Sequence, residues 1–570
     1  MQFVHGLHFN NIRGDIYGGL TAAVVALPLA LAMGVSSGAG PIAGIYGAIF
    51  VGLFAALFGG TPSQVSGPTG PMTVVMAVIF TEYTAMFPND PAYGASLAFT
   101  IVIMGGLFQI LFGALKLGKY INLIPHPVVS GFMSGIGVII ILLQLGPLLG
   151  HVSLPGPMAS VEALPEMLST PVIAAIIAAG IALLVVYFTP RNISRLIPSP
   201  LLALIIGTLV VYFWQGSDIS SSVENGKDIY KLGSVSVLGD IPTGLPSPQL
   251  PVFELALLGG MIKSALILAA LGAIDSLLTS LVADSVTRTY HQSNRELVGQ
   301  GIGNTLAGLF GGLPGAGATM RTVVNIRAGG STPLSGMLHA IVLLAIVLGA
   351  GSVARYIPHA VLAGILIKVG TDIVDWDYLK RIPSAPKAGV VIMLIVLSCT
   401  VFIDLIMAVA LGMIMASFLF MQRMADLQID SVTATTGLED DSHLTEEENE
   451  VINQAEGRML YFHNLGPMSF GAAKNLVRRI SEFTEYDVLV IDLCDVPKID
   501  FTSTRALDDI IQNAREHNRK VLLTGCKNQV CTMLKTQGVI EHTEEAALLN
   551  QASRMEVLQK ALKIIKDKQA

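Results

Sequence analysis

The chain is poor in charge. Only 13% of its 570 residues are Asp, Glu, Lys or Arg, against 52% hydrophobic ones. A soluble protein of this length needs more charge to cover its surface, and the mean hydropathy of +0.65 excludes that class for most of the chain. Cysteine is scarce as well. Cys399, Cys494, Cys526 and Cys531 form no CxxC pair, which argues against a disulfide framework and fits reduced thiols. No His/Cys spacing typical of a metal site occurs, and GxxxxGK[ST] is missing, so any transport is read as secondary, without ATP hydrolysis and without a cofactor. A net charge of -7 with no basic tail speaks against nucleic acid as a partner. The N-terminus has no basic stretch leading into a short apolar run and cleavage site, so the first span is expected to insert and stay.

What the chain does have is long apolar runs and 58 glycines, the composition of closely packed, lipid-facing helices. A span needs about 20 apolar residues, fewer when it is broken or tilted. The text supplies about fourteen such segments, near 15–34, 42–59, 69–87, 95–115, 124–148, 171–188, 198–215, 255–281, 297–311, 319–330, 335–351, 358–374, 387–403 and 404–422. Residues 1–424 therefore read as a polytopic transmembrane domain. The acidic stretch 425–456 reads as a linker, and 457–570 as a small soluble α/β domain with strands near 458–465, 487–493 and 520–525 and helices near 471–482, 503–516 and 555–568.

Basic residues set the expected orientation, because short cytoplasmic loops retain Lys and Arg. Arg13, Lys116, Lys119, Arg191, Arg195, Arg288, Arg295, Lys380, Arg381, Lys387 and Arg423 fall on one side, while the loops after spans three and five carry none. An even number of spans puts both termini inside and the long 216–251 segment outside. Asp404 falls between the last two spans and reads as a loop or cap residue, and Asp284 with Arg288 reads as a structural i, i+4 pair.

A repeat is the strongest internal signal. GAIFVGLFAALFGG (47–60) precedes SGPTGPMTVV (66–75), and GQGIGNTLAGLFGG (299–312) precedes PGAGATMRTVVN (314–325). Both halves carry LFGG, a Gly/Pro-rich break and TVV, about 250 residues apart. Halves with an odd number of spans must insert with opposite topology, and matched broken helices in inverted repeats point to a midplane binding site. Pro71 suits the first turn of a half-helix, Thr69 is placed to cap it, and Ala318-Thr319 can start its counterpart. Two such N-termini bring partial positive charges of roughly +0.5 each, which favours an anion. Asp275 lies mid-span in SALILAALGAIDSLLTSLVAD, where a lone carboxylate is costly enough to imply a partner or a function. Thr279 follows four residues on, on the same helix face.

The segments GPTGPMTVV (67–75), LKLGKYINLIPHPVVSGFMSGIG (115–137), LGAIDSLLTSLVADSVTRT (271–289), NRELVGQGIGN (294–304) and GLFGGLPGAGATMRTVVN (308–325) resemble the sulfate permease (SulP) family of anion transporters. The tail resembles the STAS domain that most members carry. The resemblance implies a polytopic α-helical membrane protein with seven plus seven inverted spans, split into core and gate domains, with a small α/β STAS domain. Most members are homodimers. Within the family the similarity is close to the BicA-type sodium–bicarbonate symporters. It places the anion at Thr69 and Gly70 on the first break and at Gly317, Ala318 and Thr319 on the second. Sodium falls to Asp275, Thr279 and carbonyls near Gly317, a hard oxygen set suited to a small cation.

One residue departs from that pattern. Arg321, in TMRTVVN, is not shared by the BicA-type symporters, while many other members carry Arg there. It can bind an anion, or pair with Asp275 and make proton coupling an alternative to sodium. Bicarbonate with sodium, by an elevator-like movement in the plasma (inner) membrane, is the leading expectation. Proton-coupled sulfate or dicarboxylate transport, and a passive channel or exchanger, are the alternatives. The expected partners are the small anion, sodium or a proton, membrane lipid and a second copy of the chain. In the tail, VPKIDFTSTRAL places Phe501 where related regulators carry a phosphorylated serine, so docking and stability are the roles expected of that domain.

Overall fold

The computed structural model describes residues 4–154, 156–190, 193, 197–224, 227–239, 247–403, 405–430, 432–436, 444–469, 477, 480, 483–539 and 553–569. Arg191, Arg195, Asp404 and most of the helix expected at 471–482 lie outside them. The chain divides into two compact units, Met1–Met413 and Ile414–Ala570.

A helix stands at each apolar segment read from the sequence. In chain order these are α1 (Ile12–Ser36), α2 (Pro41–Phe58), α3 (Gly70–Met86), α4 (Pro91–Ala114), α5 (His126–Leu143), α6 (Ile173–Phe188), α7 (Ser199–Gln215), α8 (Leu258–Thr287), α9 (Ser293–Leu309), α10 (Thr319–Arg327), α11 (Pro333–Ala354), α12 (His359–Ile373), α13 (Lys387–Phe402) and α14 (Leu405–Asp430). Several begin where the local chemistry asks for a start. At α4, for example, Pro91 occupies the first turn and the Asp90 carboxylate accepts from Tyr93 N at 3.1 Å. Among the described residues, 6 helices are long and apolar enough to cross a bilayer on those grounds alone: α1, α2, α4, α5 with its continuation to Leu149, α8, and Met407–Leu427 of α14. The chain is a multi-pass membrane protein.

Two helical bundles make up the first unit. Helices α1–α4 pack with α8–α11, and α5–α7 pack with α12 and α13, so each half of the sequence sends its first four helices to the same bundle. Small residues permit the tight contacts. In GQGIGN (299–304), a Cβ on Gly301 would lie 2.6 Å from Gly106 O and 2.7 Å from Ile110 N of α4. Between α2 and α3 lies the short strand β1 (Ser66–Gly67). The segment after α7 was read only as a long external loop. It forms a three-stranded antiparallel sheet of β2 (Ile219–Glu224), β3 (Lys227–Leu232) and β4 (Val235–Val237). Strand β5 (Ala316–Gly317) lies between α9 and α10.

Two expectations need correction. Asp284 does not pair with Arg288; its carboxylate accepts from His291 Nδ1 at 2.7 Å and His291 N at 3.1 Å, because Arg288 takes a left-handed conformation (φ 57°) that ends α8. The stretch read as an acidic linker also supplies elements. Helix α14 continues through Met424 to Asp430, β6 (Val432–Thr435) joins the soluble sheet, and α15 (Glu446–Asn453) starts on a capping box of Thr445 and Glu448.

The second unit is built on a four-stranded sheet, β6 with β7 (Met459–Asn464), β8 (Val488–Asp492) and β9 (Lys520–Thr524), in the order β6-β7-β8-β9. β6 is antiparallel to β7, and β7, β8 and β9 are parallel. Alternate strand residues face opposite ways, so the sheet has two cores. Leu460, Phe462, Leu489 and Ile491 pack against α16 (Phe501–Glu516) and α17 (Asn528–Thr536). Tyr461, Val488 and Val490 pack against α18 (Arg554–Gln569). Asp492 sits fully buried at the end of β8. It accepts from Tyr461 OH and Arg554 Nε, both at 2.6 Å, and from Cys494 N at 2.9 Å. Burial alone pushes its acidity the other way, but the bonds from Tyr461 and Cys494 and the charge of Arg554 outweigh it and hold the carboxyl below its ordinary range. Ser503 is buried and Phe501 is exposed at the start of α16.

Candidate functional site

The two breaks cross each other. β1 and β5 pair antiparallel, Ser66 opposite Gly317 and Gly67 opposite Ala316. Helix α3 starts from one end of this crossing and α10 from the other, with Thr69 and Ala318 as their N-caps. The crossing is tight at its two glycines. A Cβ on Gly67 (φ +153°) would lie 2.7 Å from Arg321 Nη1, and one on Gly317 would overlap Gln64 Nε2. Glycine at these positions is a steric requirement.

A cavity of about 640 Å³ opens beside the crossing, between the bundles. Its lining includes Thr69, Gly70, Asp275, Gly317, Ala318, Thr319 and Arg321, so all but one of the expected site residues meet in one space. The exception is Thr279, which is fully buried just behind the wall. Its Oγ1 donates to Gly317 O at 2.9 Å and lies 2.7 Å from Thr319 Oγ1, so it ties α8 to the second break. Ser276 on the same helix accepts from Gly317 N at 3.1 Å.

Two expectations about this site change. Thr69 is the N-cap of α3, but its hydroxyl makes no capping bond; Oγ1 is buried without a hydrogen-bond partner, as is Thr73 Oγ1 one turn on. Asp275 and Arg321 do not form a direct pair. Arg321 Nη2 donates to Pro68 O at 2.5 Å, which anchors α10 to the first break, and among the described residues no ion pair links it to Asp275. Asp275 Oδ2 is buried without a hydrogen bond of regular geometry; the Thr69 hydroxyl beside it is its nearest donor, and Arg321 acts on it through its charge. Burying an unpartnered carboxylate oxygen is costly, and such a group is the first candidate for a ligand contact.

The sequence reading missed the polar layer behind the crossing. Glu296 in α9 is buried and accepts four hydrogen bonds: from Gly60 N at 2.8 Å and Thr61 N at 2.9 Å on one oxygen, and from Gln64 Nε2 and Gln300 Nε2, both at 2.8 Å, on the other. Asn304 holds both sides of Gly315, donating to its carbonyl at 2.9 Å and accepting from its N–H at 2.7 Å. The signal was present in NRELVGQGIGN. Glu296, Gln300 and Asn304 recur at i, i+4 and i+8, a polar stripe on one face of a membrane helix. Arg327, Lys368 and Asp372 also contribute to the lining, and Lys368 pairs with Asp372.

Fold and site together define a class: a polytopic helical transporter of two repeats whose broken helices cross at a buried polar site. The sulfate permease family profile matches residues 12–396 and the STAS domain profile residues 450–544. The chain belongs to the sulfate permease family and carries a STAS domain. It is 45% identical to a protein named bicarbonate transporter BicA from a Synechocystis species, over 96% of this chain and 94% of that one. A solved transmembrane domain of a cyanobacterial bicarbonate transporter BicA is 49% identical, with a TM-score of 0.64, and covers 71% of this chain and all of that one. The structure of SLC26A9 matches 98% of this chain and 91% of that one with a TM-score of 0.77; at 16% identity it is similar in fold alone. The family is one of transporters, not enzymes.

Proposed function

We propose that the chain carries bicarbonate into the cell together with sodium, as a secondary symporter. The anion sits at the crossing of the breaks, held by Thr69 and Gly70, by Gly317, Ala318 and Thr319, and by Arg321. Sodium, a co-substrate, sits at Asp275, Thr279 and the Gly317 carbonyl. The observation that carries this reading is that one cavity is lined by two helix N-termini and by a carboxylate with an unpartnered buried oxygen. Helix N-termini suit the anion, and the orphaned carboxylate beside a hydroxyl and a carbonyl suits a small cation. The near-full-length likeness to bicarbonate transporters supports the choice of anion. Movement of one bundle against the other in an elevator-like step carries both across the plasma (inner) membrane. Both termini and the STAS domain are cytoplasmic, and two copies assemble through the membrane and STAS domains.

Purified protein in liposomes tests this reading. Radiolabelled bicarbonate uptake should rise when an inward sodium gradient is imposed. Uptake indifferent to sodium would overturn the coupling, and a protein that takes up sulfate or fumarate but no bicarbonate would overturn the substrate. A second reading, proton-coupled sulfate or dicarboxylate transport, is favoured by one observation. Arg321 is buried in the same cavity as Asp275, a charge balance that leaves the carboxylate able to carry a proton. Uptake driven by an inward proton gradient in sodium-free buffer distinguishes it, and downhill flux without either gradient marks a passive channel or exchanger.

A further inference from the structure

We infer that Glu296 is a positioning residue for the anion site: its buried carboxylate sets the direction of a hydrogen-bond chain that holds the first break in register with the second. The inference rests on the crossing of the breaks being the anion site.

The reasoning begins with the chemistry of a carboxylate. It accepts hydrogen bonds and donates none. All four donors on Glu296 are neutral: two backbone amides that open the turn leading to the first break, and the amides of Gln64 and Gln300. Because Glu296 only accepts, both glutamines must turn their NH2 groups toward it. That choice fixes their other contacts. Gln64 is left to present Oε1 to Ser280 Oγ at 3.0 Å, and Ser280 lies 2.8 Å from Thr61 Oγ1. Gln300 Nε2 also donates to Ser66 Oγ at 2.6 Å. Ser66 is the residue of β1 opposite Gly317. The chain Glu296–Gln300–Ser66 therefore ends on the paired backbone of the crossing, three residues before Thr69. Gln64 also lies against Gly317, where an added Cβ would displace its amide from Glu296.

A glutamine at position 296 keeps the shape and reverses half of the direction. Its oxygen can still accept from Gly60 N and Thr61 N. Its NH2 group then meets the NH2 groups of Gln64 and Gln300, and those amides must flip to accept. A flipped Gln300 can no longer donate to Ser66; the Ser66 hydroxyl must turn and donate to Gln300 instead, and the charge that strengthened the chain is gone. The break keeps only a weaker, reversed anchor while the packing volume is unchanged, so the expected effect falls on substrate affinity more than on folding or turnover.

The test is a double-mutant cycle on the full chain in liposomes. It is read as KM and maximal rate for radiolabelled bicarbonate, or for whichever anion of a bicarbonate, sulfate and fumarate panel the wild type carries. Glu296→Gln and Ser66→Ala should each raise KM by about tenfold, the loss of one bond to a charged or buried group. Maximal rate should stay within about twofold. The double variant should be no worse than either single one, because both act through the same chain. Independent effects that multiply, or a fall in maximal rate with KM unchanged, would overturn the positioning role. If Glu296→Gln does not accumulate as monodisperse protein, Gln300→Leu with Ser66→Ala carries the same cycle with the same two outcomes. Failure of the wild type to carry bicarbonate would revise the substrate alone, since the cycle is then read on the anion it does carry.

Discussion

Two buried aspartates, one in each unit, have opposite surroundings. Asp492 in the soluble sheet is fully enclosed and fully answered, by Tyr461, Arg554 and a backbone amide. Asp275 in α8 is almost as buried, yet its Oδ2 makes no hydrogen bond of regular geometry and has only the neighbouring Thr69 hydroxyl, itself otherwise unpartnered, beside it. The first arrangement recovers the desolvation cost of the charge and stabilises the fold. The second leaves the cost standing, which a protein tolerates where a ligand completes the set. Glu296 falls with Asp492 on this scale: four donors, no orphaned oxygen. Burial therefore does not distinguish these carboxylates, but satisfaction does.

The contrast breaks if removing the two charges has similar consequences. Asp492→Asn should destabilise the soluble unit by about 3–5 kcal/mol, because Arg554 loses its buried carboxylate. Hydrogen exchange at β8 in the full chain measures this. The loss should depend on pH with a definite sign. The folded Asp492 carboxyl lies below its ordinary range. Its contribution is therefore complete above the unfolded value of about 3.9 and fades as pH falls through the lower folded value. Wild type and variant should differ at pH 7 and converge in the acid range below about pH 4.

Asp275→Asn should act on transport first. Coupled uptake should fall about a hundredfold, since a ligand charge worth about 3 kcal/mol is removed. Thermal stability of the membrane unit should fall by less than that of the soluble unit in Asp492→Asn, because Asp275 makes no direct ion pair and only its charge opposite Arg321 in the cavity is lost. An Asp275→Asn protein that melts early, like Asp492→Asn, would place Asp275 among the structural carboxylates. Arg321→Lys tests the guanidinium in the same cavity. It keeps the charge but not the planar fork that reaches Pro68 O, and KM should rise about tenfold, with little change in melting temperature.

Much of this was legible from local pattern. Helices α1–α14 followed from apolar runs, and the two matched breaks followed from the repeated LFGG and TVV text; that the breaks pair as strands and cross did not. Asp275 stood out because a carboxylate in an apolar span has no local explanation. What was not legible depends on tertiary partners. Nothing near Asp284 in sequence favoured His291 over Arg288; the left-handed turn at Arg288 decided it. The polar stripe of Glu296, Gln300 and Asn304 was in view, but its meaning came from Gly60, Gln64 and Ser66, some 230 residues away in the other repeat. The sheet β2–β4 was missed although a signal stood in the text: Asn225-Gly226 between Glu224 and Lys227 is the sequence of a two-residue hairpin turn.

The smallest expected effect bears on the same contrast at the level of one hydroxyl. Thr69 and Thr319 sit at matching ends of the two half-helices. Thr69 Oγ1 has no partner, while Thr319 Oγ1 lies 2.7 Å from Thr279 Oγ1. If orphaned groups are the ones that meet substrate, Thr69→Ala should raise the KM for the anion about threefold to tenfold, the worth of a neutral hydrogen bond. Thr69→Ser should restore it. Thr319→Ala should raise that KM less than Thr69→Ala does and should also raise the sodium concentration needed for half-maximal uptake, because it loosens Thr279 and the Gly317 carbonyl. Equal effects of the two alanine variants on both constants would mean that the repeats contribute alike. Satisfaction in the unliganded protein would then not distinguish a ligand from a support.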